Sequence, residues 1–303
     1  MNDTPVNEKL QKVLARAGYG SRRELEGWIS SGRIKVNNKI ATLGDRVSET
    51  DRISVDGNPV RQTRLSERRS RVLIYHKSVG EICTRSDPEG RDTIFNNLPK
   101  LSSGRWITIG RLDLNTSGLL LITTDGDLAN RMMHPSYQVE REYAVRVLGE
   151  VTADMLKNLK SGVELEDGTA HFDVVASAGG TGANSWYHVI LREGRNREVR
   201  RLWESQGVQV SRLMRVRYGQ VTLPRGQKPG RWEELPEKAV DVLRRTVSLS
   251  AKAGLASGKG DDRSNSRLRS DSSGRRSTGR GAPDKYPGKR ESRNSKRPVK
   301  KRR

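Results

Sequence analysis

Short apolar runs of strand length dominate residues 71–245 and restrict this part of the chain to a fold built on a β-sheet. Turn residues separate these runs, and only a few stretches carry helical periodicity instead. The strand-like runs are RVLIYHK, RWITIG, LLLITT, REYAVRV, HFDVVASA, WYHVILR and VSRLMRVRYGQVTL, and the helical ones are GDLANRMMH, TADMLKNLK and REVRRLWESQ. Since strands dominate, we predict an α+β domain over residues 71–245, with a large mixed, mostly antiparallel sheet and peripheral helices.

The first 66 residues show a different pattern, two short helices followed by a strand pair. The apolar face of the first helix is formed by Leu10, Val13, Leu14 and Ala17. SRRE at residues 21–24 is typical of a capping box that begins a second helix. The segment RIKVNNKIATLGDRV then predicts two strands around residues 37–38. We therefore predict a small domain over residues 1–66 and a linker that ends near residue 70.

Positive charge is the main clue to the partner of this chain. With 58 lysines and arginines against 36 acids, the net charge is +22, which indicates a polyanionic partner and nucleic acid first. Basic side chains of the small domain that we assign to this contact are Lys9, Lys12, Arg16, Arg22, Arg23, Arg33 and Lys35. Taken alone, such a charge run is usually a solvated helix face, so both interpretations stay open here.

The C-terminal segment differs in composition from the rest of the chain. From residue 251 it holds 18 lysines and arginines against five acids, and Tyr286 is its one aromatic residue. Such a segment buries too little apolar surface to offset its ordering entropy, so we predict a disordered basic tail over residues 246–303. It acts either as a solubilising tail or as an arm that binds RNA phosphates.

Several classes of protein are disfavoured by what the sequence lacks. No apolar stretch approaches the roughly 20 residues that span a bilayer, so we expect no membrane partner and a cytoplasmic protein. Cys83 is the one cysteine, and the four histidines have no metal-ligand spacing. We therefore expect no metal site and no disulfide, and the absence of a P-loop or GxGxxG signature predicts no nucleotide cofactor.

A single acid, Asp113, lies in the turn RLDLNTSG between the strand-like runs WITIG and LLLITT. Asparagine, threonine, serine and glycine favour local bends, so Asp113 is predicted at a strand end, on a loop held by rigid elements. Its carboxylate either bonds the backbone of its own turn or is a functional group. Asp125 and Asp127, in contrast, open the next helix, where capping and the helix dipole explain them.

The run VEREYAVRV carries a second candidate side chain. Strand alternation places one set of residues on the same face, namely Arg141, Tyr143, Val145 and Val147. A buried tyrosine with a bonded hydroxyl is the ordinary outcome for Tyr143, and its ring could equally stack on a base.

The helix predicted in REGRNREVRRLWESQG carries a cluster of arginines. Its apolar face is formed by Val199, Leu202 and Trp203. Arg200 lies at the edge of this face, so it is the arginine best placed to reach a partly buried acid, unless it only packs its stem at the surface. The arginines better placed for phosphate contacts are Arg195, Arg197 and Arg201.

Three of these segments, GRLDLNTSGLLL, EREYAV and GRNREVRRLWESQGVQVSRLMRVRYG, resemble the motifs of the pseudouridine synthases. VLARAGYGSRRE and GRIKVNNKI resemble the S4 RNA-binding domain, in which the second helix and the preceding loop grip structured RNA. Together the resemblances span nearly all of residues 5–240. With the basic tail included, the chain looks most similar to the group of synthases that act on large-subunit ribosomal RNA, the B group.

The resemblance implies an isomerase that needs no cofactor. The uracil of a uridine in ribosomal RNA, here 23S RNA, is flipped out, detached from C1′, turned and rejoined through C5. It also implies that Asp113 is the essential catalytic residue, that Tyr143 stacks on the target base and that Arg200 pairs with Asp113. Two further residues are implied beside the base, Leu213 and Arg215. Arg111 is expected at the position that the base vacates, although a phosphate contact or a surface ion pair fits it equally well.

The chemistry agrees with a single acid. Breaking a glycosidic bond develops positive charge on the sugar, which a nearby carboxylate stabilises or captures, and no second carboxylate is needed because no water is activated. Whether Asp113 attacks the sugar carbon, attacks the base or takes a proton from C2′ stays open. The expected partner is ribosomal RNA, free or in an assembling large subunit, and the protein is expected to be a monomer. The alternatives are a non-enzymatic S4-type ribosome-assembly factor and, with less support, a glycosidase that releases uracil.

Overall fold

The computed structural model describes residues 7–65 and 69–250. Residues 66–68 of the predicted linker and residues 251–303 of the predicted tail lie outside the described residues. Within the described part of the chain, no helix is long and apolar enough to cross a membrane.

The N-terminal part has the predicted two helices and short strands. Its elements are β1 (Glu8–Lys9), α1 (Leu10–Arg16), α2 (Arg22–Ser30), β2 (Ile34–Val36), β3 (Lys39–Ile40), β4 (Arg46–Val47), β5 (Ile53–Val55), β6 (Asn58–Pro59) and α3 (Gln62–Leu65). Strands β3, β2, β5 and β6 form one antiparallel sheet in that order, and β1 pairs with β4. These elements enclose a hydrophobic core of their own.

Local sequence signals explain how these elements begin and end. Ser21 caps α2 by accepting the Glu24 N–H at 3.1 Å, and the Glu24 carboxylate accepts the Ser21 N–H at 3.2 Å, which completes the predicted capping box. Asn37 and Asn38 both have positive φ, as a tight two-residue hairpin turn requires.

The second part of the chain is built on one nine-stranded sheet in the described residues. Its strand segments in chain order, with a separate β11–β12 hairpin among them, are β7 (Val72–Lys77), β8 (Ile107–Ile109), β9 (Ser117–Thr123), β10 (Arg141–Leu148), β11 (Val163–Leu165), β12 (Gly168–Ala170), β13 (Val174–Thr181), β14 (Asn184–Leu191), β15 (Gln209–Tyr218), β16 (Val221–Thr222) and β17 (Trp232–Glu234). The sheet order is β13-β14-β10-β15-β9-β7-β17, with β8 on β9 and β16 on β15. All pairs are antiparallel except β15 with β9, so the predicted α+β fold with a mixed, mostly antiparallel sheet is confirmed.

Helices lie around the sheet, as predicted. They are α4 (Gly126–Met133), α5 (Ala153–Ser161), α6 (Glu198–Glu204) and α7 (Glu237–Thr246), and short 3-10 turns cover residues 94–97 and 135–137. Helix α7 was not predicted from the sequence. Val247, just after this helix, is fully buried in the core, so residues at the predicted start of the tail pack against the sheet domain.

Both faces of the central strands are buried. In β7, Leu73 and Tyr75 contribute to one core while Val72 and Ile74 contribute to the other. Full burial of such a side chain stabilises the fold by about 1.5–3 kcal/mol. The loops at the strand ends are therefore held on a rigid support.

One glycine allows the parallel strand pair. Gly118 in β9 has φ +103°, and a Cβ there would lie 2.3 Å from the Arg215 carbonyl oxygen of β15. Only glycine permits this approach of the two backbones. As a result, the chain that follows Asp113 runs directly beside Leu213 and Arg215.

Candidate active site

Asp113 lies in the loop between β8 and β9, where the sequence analysis expected it. The Thr116 N–H donates to the Asp113 carbonyl oxygen at 3.0 Å and closes the turn. The Asp113 side chain is partly buried. In the described part of the chain its carboxylate has no hydrogen bond and no salt bridge, so it does not bond the backbone of its own turn. The functional interpretation of Asp113 stays a prediction.

The carboxylate borders a cavity of about 720 Å³, which is within the size range of small-molecule sites. Of the residues singled out in the sequence, those that line it are Arg111, Asp113, Tyr143, Arg195, Arg197, Leu213 and Arg215. Segments far apart in the chain thus meet at one place, and the ring of arginines gives the cavity a positive wall.

Lys77, the last residue of β7, binds the backbone of the Asp113 loop. This role of Lys77 was not predicted from the sequence. It is fully buried, and its Nζ donates to the carbonyl oxygens of Ser78 at 2.8 Å, Asp113 at 3.0 Å and Thr116 at 2.9 Å. Burial lowers the pKa of the Lys77 ammonium, and the charge of Asp113 is among the groups that oppose this. A buried cation with three carbonyl partners fixes the loop that carries the acid.

Arg200 supports the same loop in a way that differs from the expectation. It is only 7% exposed, and its guanidinium donates to the Asn115 carbonyl at 2.8 Å and to the Val210 carbonyl at 2.9 Å. No salt bridge within 4.0 Å joins it to Asp113, so the expected direct ion pair was wrong. Burial lowers the pKa of Arg200, while the charge of Asp113 raises it, so the two groups interact at longer range. Buried backbone carbonyls require a hydrogen-bond donor, and the Arg200 guanidinium supplies one to the Asn115 and Val210 carbonyls. It therefore binds the loop of Asp113 and not the carboxylate.

Tyr143 and the two β15 residues form another wall of the cavity. In the β10–β15 register Tyr143 lies opposite Arg215, and Val145 lies opposite Leu213. Tyr143 is 9% exposed, and in the described residues no hydrogen bond ends at its hydroxyl. Arg215 is almost fully buried, donates from Nε to the Leu119 carbonyl at 2.8 Å and lies over the Tyr218 ring at 4.8 Å. The Tyr143 ring therefore faces the cavity from a fixed position.

The predicted phosphate contacts around α6 have different surroundings. Arg111 is exposed and has no hydrogen bond or salt bridge in the described part of the chain. Arg197, with φ +48°, caps α6 and lies 3.5 Å from Glu204. Arg195 and Arg201 both contact Asp167 in the turn of the β11–β12 hairpin, Arg201 through two bonds of 2.7 and 2.9 Å. Of these four arginines, Arg111 is thus the one whose side chain contacts no carboxylate in the described part of the chain.

The basic residues of the N-terminal part fall into two groups. Lys9, Arg23 and Lys35 are exposed and have no salt bridge to any residue that the structure describes. Arg22 is half exposed and 3.8 Å from Asp127. Those in close ion pairs are Lys12 and Arg16 with Glu8, and Arg33 with Asp56. The RNA contacts assigned to all seven remain predictions.

Three more cavity residues were not predicted. Arg141 is buried and donates to the carbonyl oxygens of Val139 at 2.9 Å and Arg192 at 2.7 Å. Two further carboxylates line the cavity: Glu193, which lies 2.6 Å from the Arg195 guanidinium, and Glu198, which accepts the Arg195 N–H at 3.0 Å. Burial raises the pKa of Glu198. Glu198 directly precedes Val199, a residue of the predicted apolar helix face. Nothing in the sequence, however, indicated that the Glu198 side chain would be buried.

Two family models match this chain. The model described as RNA pseudouridylate synthase matches residues 71–205, and the S4 domain model matches residues 8–53. A solved structure described as pseudouridylate synthase aligns with a TM-score of 0.54 and 22% identity, over 78% of this chain and 99% of that chain. This structural likeness shows the fold.

Curated relatives are much more similar in sequence. The protein named ribosomal large subunit pseudouridine synthase B in Salmonella typhimurium is 59% identical over 80% of this chain and 84% of its own length. Proteins of the same name match in Yersinia pestis, with 58% identity over 80% of this chain and 77% of the relative, and in Pseudomonas aeruginosa, with 58% identity over 82% of this chain and 66% of the relative. The chain belongs to the RNA pseudouridylate synthase family, in a form with an N-terminal S4 domain.

Proposed function

We propose that this protein isomerises uridine to pseudouridine in large-subunit ribosomal RNA, with Asp113 as its essential acid. The observation that carries the proposal is the Asp113 carboxylate, which has no hydrogen-bond or salt-bridge partner among the described residues and borders a cavity with arginines in its wall. Relatives at 58–59% identity are named for this activity on the large ribosomal subunit. A partly buried carboxylate without a hydrogen-bond donor is costly to keep, so its presence in a cavity favours a chemical role.

The reaction exchanges one bond for another within the same nucleotide. The C1′–N1 bond breaks, the uracil turns, a C1′–C5 bond forms, and the proton on C5 is lost while N1 gains one. No atom is added and no electron is transferred. Asp113 acts where positive charge develops at C1′, and the protein must exclude water until the base has rejoined.

The cavity residues would divide the remaining work. The Tyr143 ring offers a flat surface for the extruded base, and Leu213 with Arg215 would flank it. Lys77 and Arg200 bind the carbonyl oxygens of the Asp113 loop and so keep its carboxylate in position. Flipping the nucleotide costs a few kcal/mol, which contacts from Arg111 and the other arginines to the RNA would offset.

Mapping of modified bases tests this proposal. We would incubate the full chain with protein-free large-subunit ribosomal RNA and map pseudouridine and released uracil. Wild type should form pseudouridine at a defined site without releasing uracil, and Asp113→Asn should form none while binding the RNA with similar affinity. Asp154→Asn, at the start of α5 and outside the cavity, is the matched control and should be as active as wild type.

Three outcomes would contradict the proposal. RNA binding without any modification by the wild type would favour the non-enzymatic assembly factor. Release of free uracil would favour a glycosidase, with Glu198 as the second carboxylate. An Asp113→Asn variant that forms pseudouridine at the wild-type rate would remove the assigned chemistry from this acid.

We also propose that the protein acts as a monomer in the cytoplasm. A single cysteine suits a reducing compartment, and the proposed substrate is assembled where ribosomes are made. Light scattering during gel filtration should give the mass of one chain, about 33.9 kDa. A dimer mass at low micromolar concentration would contradict the monomer.

A further inference from the structure

Two buried polar atoms belong to residues in the wall of the Asp113 cavity and have no hydrogen-bond partner among the described residues. They are the Thr116 hydroxyl oxygen and the Arg215 Nη2 nitrogen. Both residues are only 2% exposed. Buried donors are nearly always paired, because a missing partner costs the fold stability. Two such atoms at one cavity therefore point to a ligand that supplies the missing acceptor.

The backbone of Thr116 is held in the turn that carries Asp113. Its N–H donates to the Asp113 carbonyl oxygen at 3.0 Å, and its own carbonyl oxygen accepts the Lys77 ammonium at 2.9 Å. Both backbone groups of Thr116 are therefore bonded, whereas the hydroxyl is not. The hydroxyl is thus a donor that the turn itself does not use.

Arg215 comes to the same wall from β15. Its Nε donates to the Leu119 carbonyl oxygen at 2.8 Å, and its guanidinium lies 4.8 Å from the centre of the Tyr218 ring. The parallel register pairs Arg215 with Gly118, two residues after Thr116. No salt bridge joins Arg215 to a carboxylate in the part of the chain that the structure describes. The wall therefore contains a fixed positive charge with one unused donor nitrogen.

The proposed reaction makes the uracil negatively charged while it is detached. When the C1′–N1 bond breaks, its electron pair stays on the base, and the charge is shared among N1, O2 and O4. If Asp113 instead adds to the base, the charge goes to O4. In each route a carbonyl oxygen of the uracil carries charge that the uridine lacks. The charge is removed once C5 bonds to C1′ and the proton moves from C5 to N1.

We propose that the Thr116 hydroxyl and the Arg215 guanidinium donate hydrogen bonds to a carbonyl oxygen of the flipped uracil and stabilise its negative charge during the reaction. Donors fixed near an oxygen where charge develops stabilise the transition state more than the bound substrate. Arginine keeps its charge throughout, and the hydroxyl adds a directional donor. The inference rests on the proposed function, which supplies uracil as the reacting base.

This role differs from that of the groups already placed at the site. Lys77 and Arg200 bind the loop of Asp113, and Asp113 acts at C1′, on the sugar side of the breaking bond. Thr116 and Arg215 would act on the base side. Catalytic hydrogen bonds often form only in the complex with substrate, so we expect both donors to reach the oxygen when the base is seated.

The Thr116→Val variant tests the proposal, because valine keeps the shape of threonine and removes the hydroxyl. With protein-free large-subunit ribosomal RNA, the single-turnover rate of pseudouridine formation should fall about 10- to 100-fold, as expected for one lost hydrogen bond to a charged group. The dissociation constant of the RNA should stay that of wild type, because the charge develops only during the reaction. Thr116→Ser, which restores the hydroxyl, should regain most of the rate.

Thermal unfolding separates this role from a structural one. Because the Thr116 hydroxyl has no partner among the described residues, Thr116→Val should keep or raise the thermal midpoint while it slows the reaction. The matched control is Thr222→Val, at an exposed position of β16 outside the cavity, and it should react at the wild-type rate.

Arg215 gives an independent measurement of the same effect. Arg215→Met removes the charge together with the donor, so the rate per folded molecule should fall about 10²- to 10³-fold. Arg215→Lys keeps the charge without the fork of donors and should regain part of that loss. The rate is counted per folded molecule because the bond to the Leu119 carbonyl is lost as well.

The results that would overturn the inference are distinct from a failure of the proposed function. A wild-type rate in Thr116→Val would show that its hydroxyl does not stabilise the base. Weaker RNA binding with an unchanged single-turnover rate would make the two side chains binding groups only. A lower midpoint with an unchanged rate per folded molecule would make them structural. Failure of the proposed function would show instead as a wild type that binds the RNA and forms no pseudouridine.

Discussion

Two aspartates at the opposite ends of strand β9 have opposite surroundings. Asp125, just after the strand, accepts the backbone N–H groups of Asp127 and Leu128 at 3.0 and 3.1 Å and also binds Ser70 and the guanidinium of Arg244. Asp113, four residues before the strand, has no partner for its carboxylate in the described part of the chain. The two carboxylates that flank this strand therefore have different surroundings. That of Asp125 is bonded within the fold, and that of Asp113 borders a cavity.

The two aspartates differ in whether hydrogen-bond donors contact the carboxylate itself. Every oxygen of Asp125 has a donor, which offsets the cost of burying its charge. Around Asp113 the buried cations Lys77 and Arg200 bind backbone carbonyls of the loop and leave the carboxylate itself open. In the proposed function, this arrangement keeps the acid available to the substrate.

The largest expected effect on stability is at Asp125. Asp125→Ala removes a helix cap and leaves the buried Arg244 without its carboxylate, so the free energy of unfolding should fall by about 3–5 kcal/mol. Denaturant unfolding measures this. Asp127→Ala, which loses only partly exposed ion pairs, is the control and should cost less than about 1 kcal/mol. A similar loss of unfolding free energy in both variants would contradict the stabilising role assigned to the buried Asp125 carboxylate.

Lys77 links stability to the site and should give the next largest effect. Lys77→Met removes a buried donor that three carbonyl oxygens share, and only the Asp113 carbonyl keeps another donor, the Thr116 N–H, within the described residues, so the free energy of unfolding should fall by about 2–4 kcal/mol. The rate of pseudouridine formation by the folded variant should also fall, because the Asp113 loop is no longer held. A variant that is destabilised yet fully active per folded molecule would show that Lys77 serves the fold only.

The smallest expected effect is at Glu198, one of two glutamates that line the Asp113 cavity. Burial raises the pKa of this group above its ordinary value of 4.5, so the folded state holds the proton more tightly than the unfolded state. Stability from this group is therefore lost as the pH rises through and above 4.5. Glu198→Gln should raise the thermal midpoint by roughly 1–3 °C at neutral pH and by less as the pH falls below 4.5. A pH-independent difference would exclude this explanation.

Local patterns made much of the fold predictable from the sequence. The capping box at residues 21–24, the Asn37-Asn38 turn and the alternation in β10 depend on residues close together in the chain, and all are confirmed. The role of Asp125 was predicted for the same reason, because a helix cap is a local contact.

Several of the predicted residues line one cavity, but their contacts were less predictable from the sequence. The contact of Lys77 with the Asp113 loop spans 36 residues, and no local pattern reports it. The expected ion pair of Arg200 with Asp113 was wrong because the Asn115 carbonyl, close in the fold, takes the guanidinium.

The most direct test of the account compares Asp113→Asn with Asp125→Asn in one experiment. Single-turnover pseudouridine formation on large-subunit ribosomal RNA would be measured alongside the thermal midpoint of each variant. We expect Asp113→Asn to lose more than about 10³-fold in rate with an unchanged midpoint, and Asp125→Asn to lose midpoint while its folded fraction keeps a rate near that of wild type. A loss of midpoint in Asp113→Asn with a retained rate would contradict the central claim.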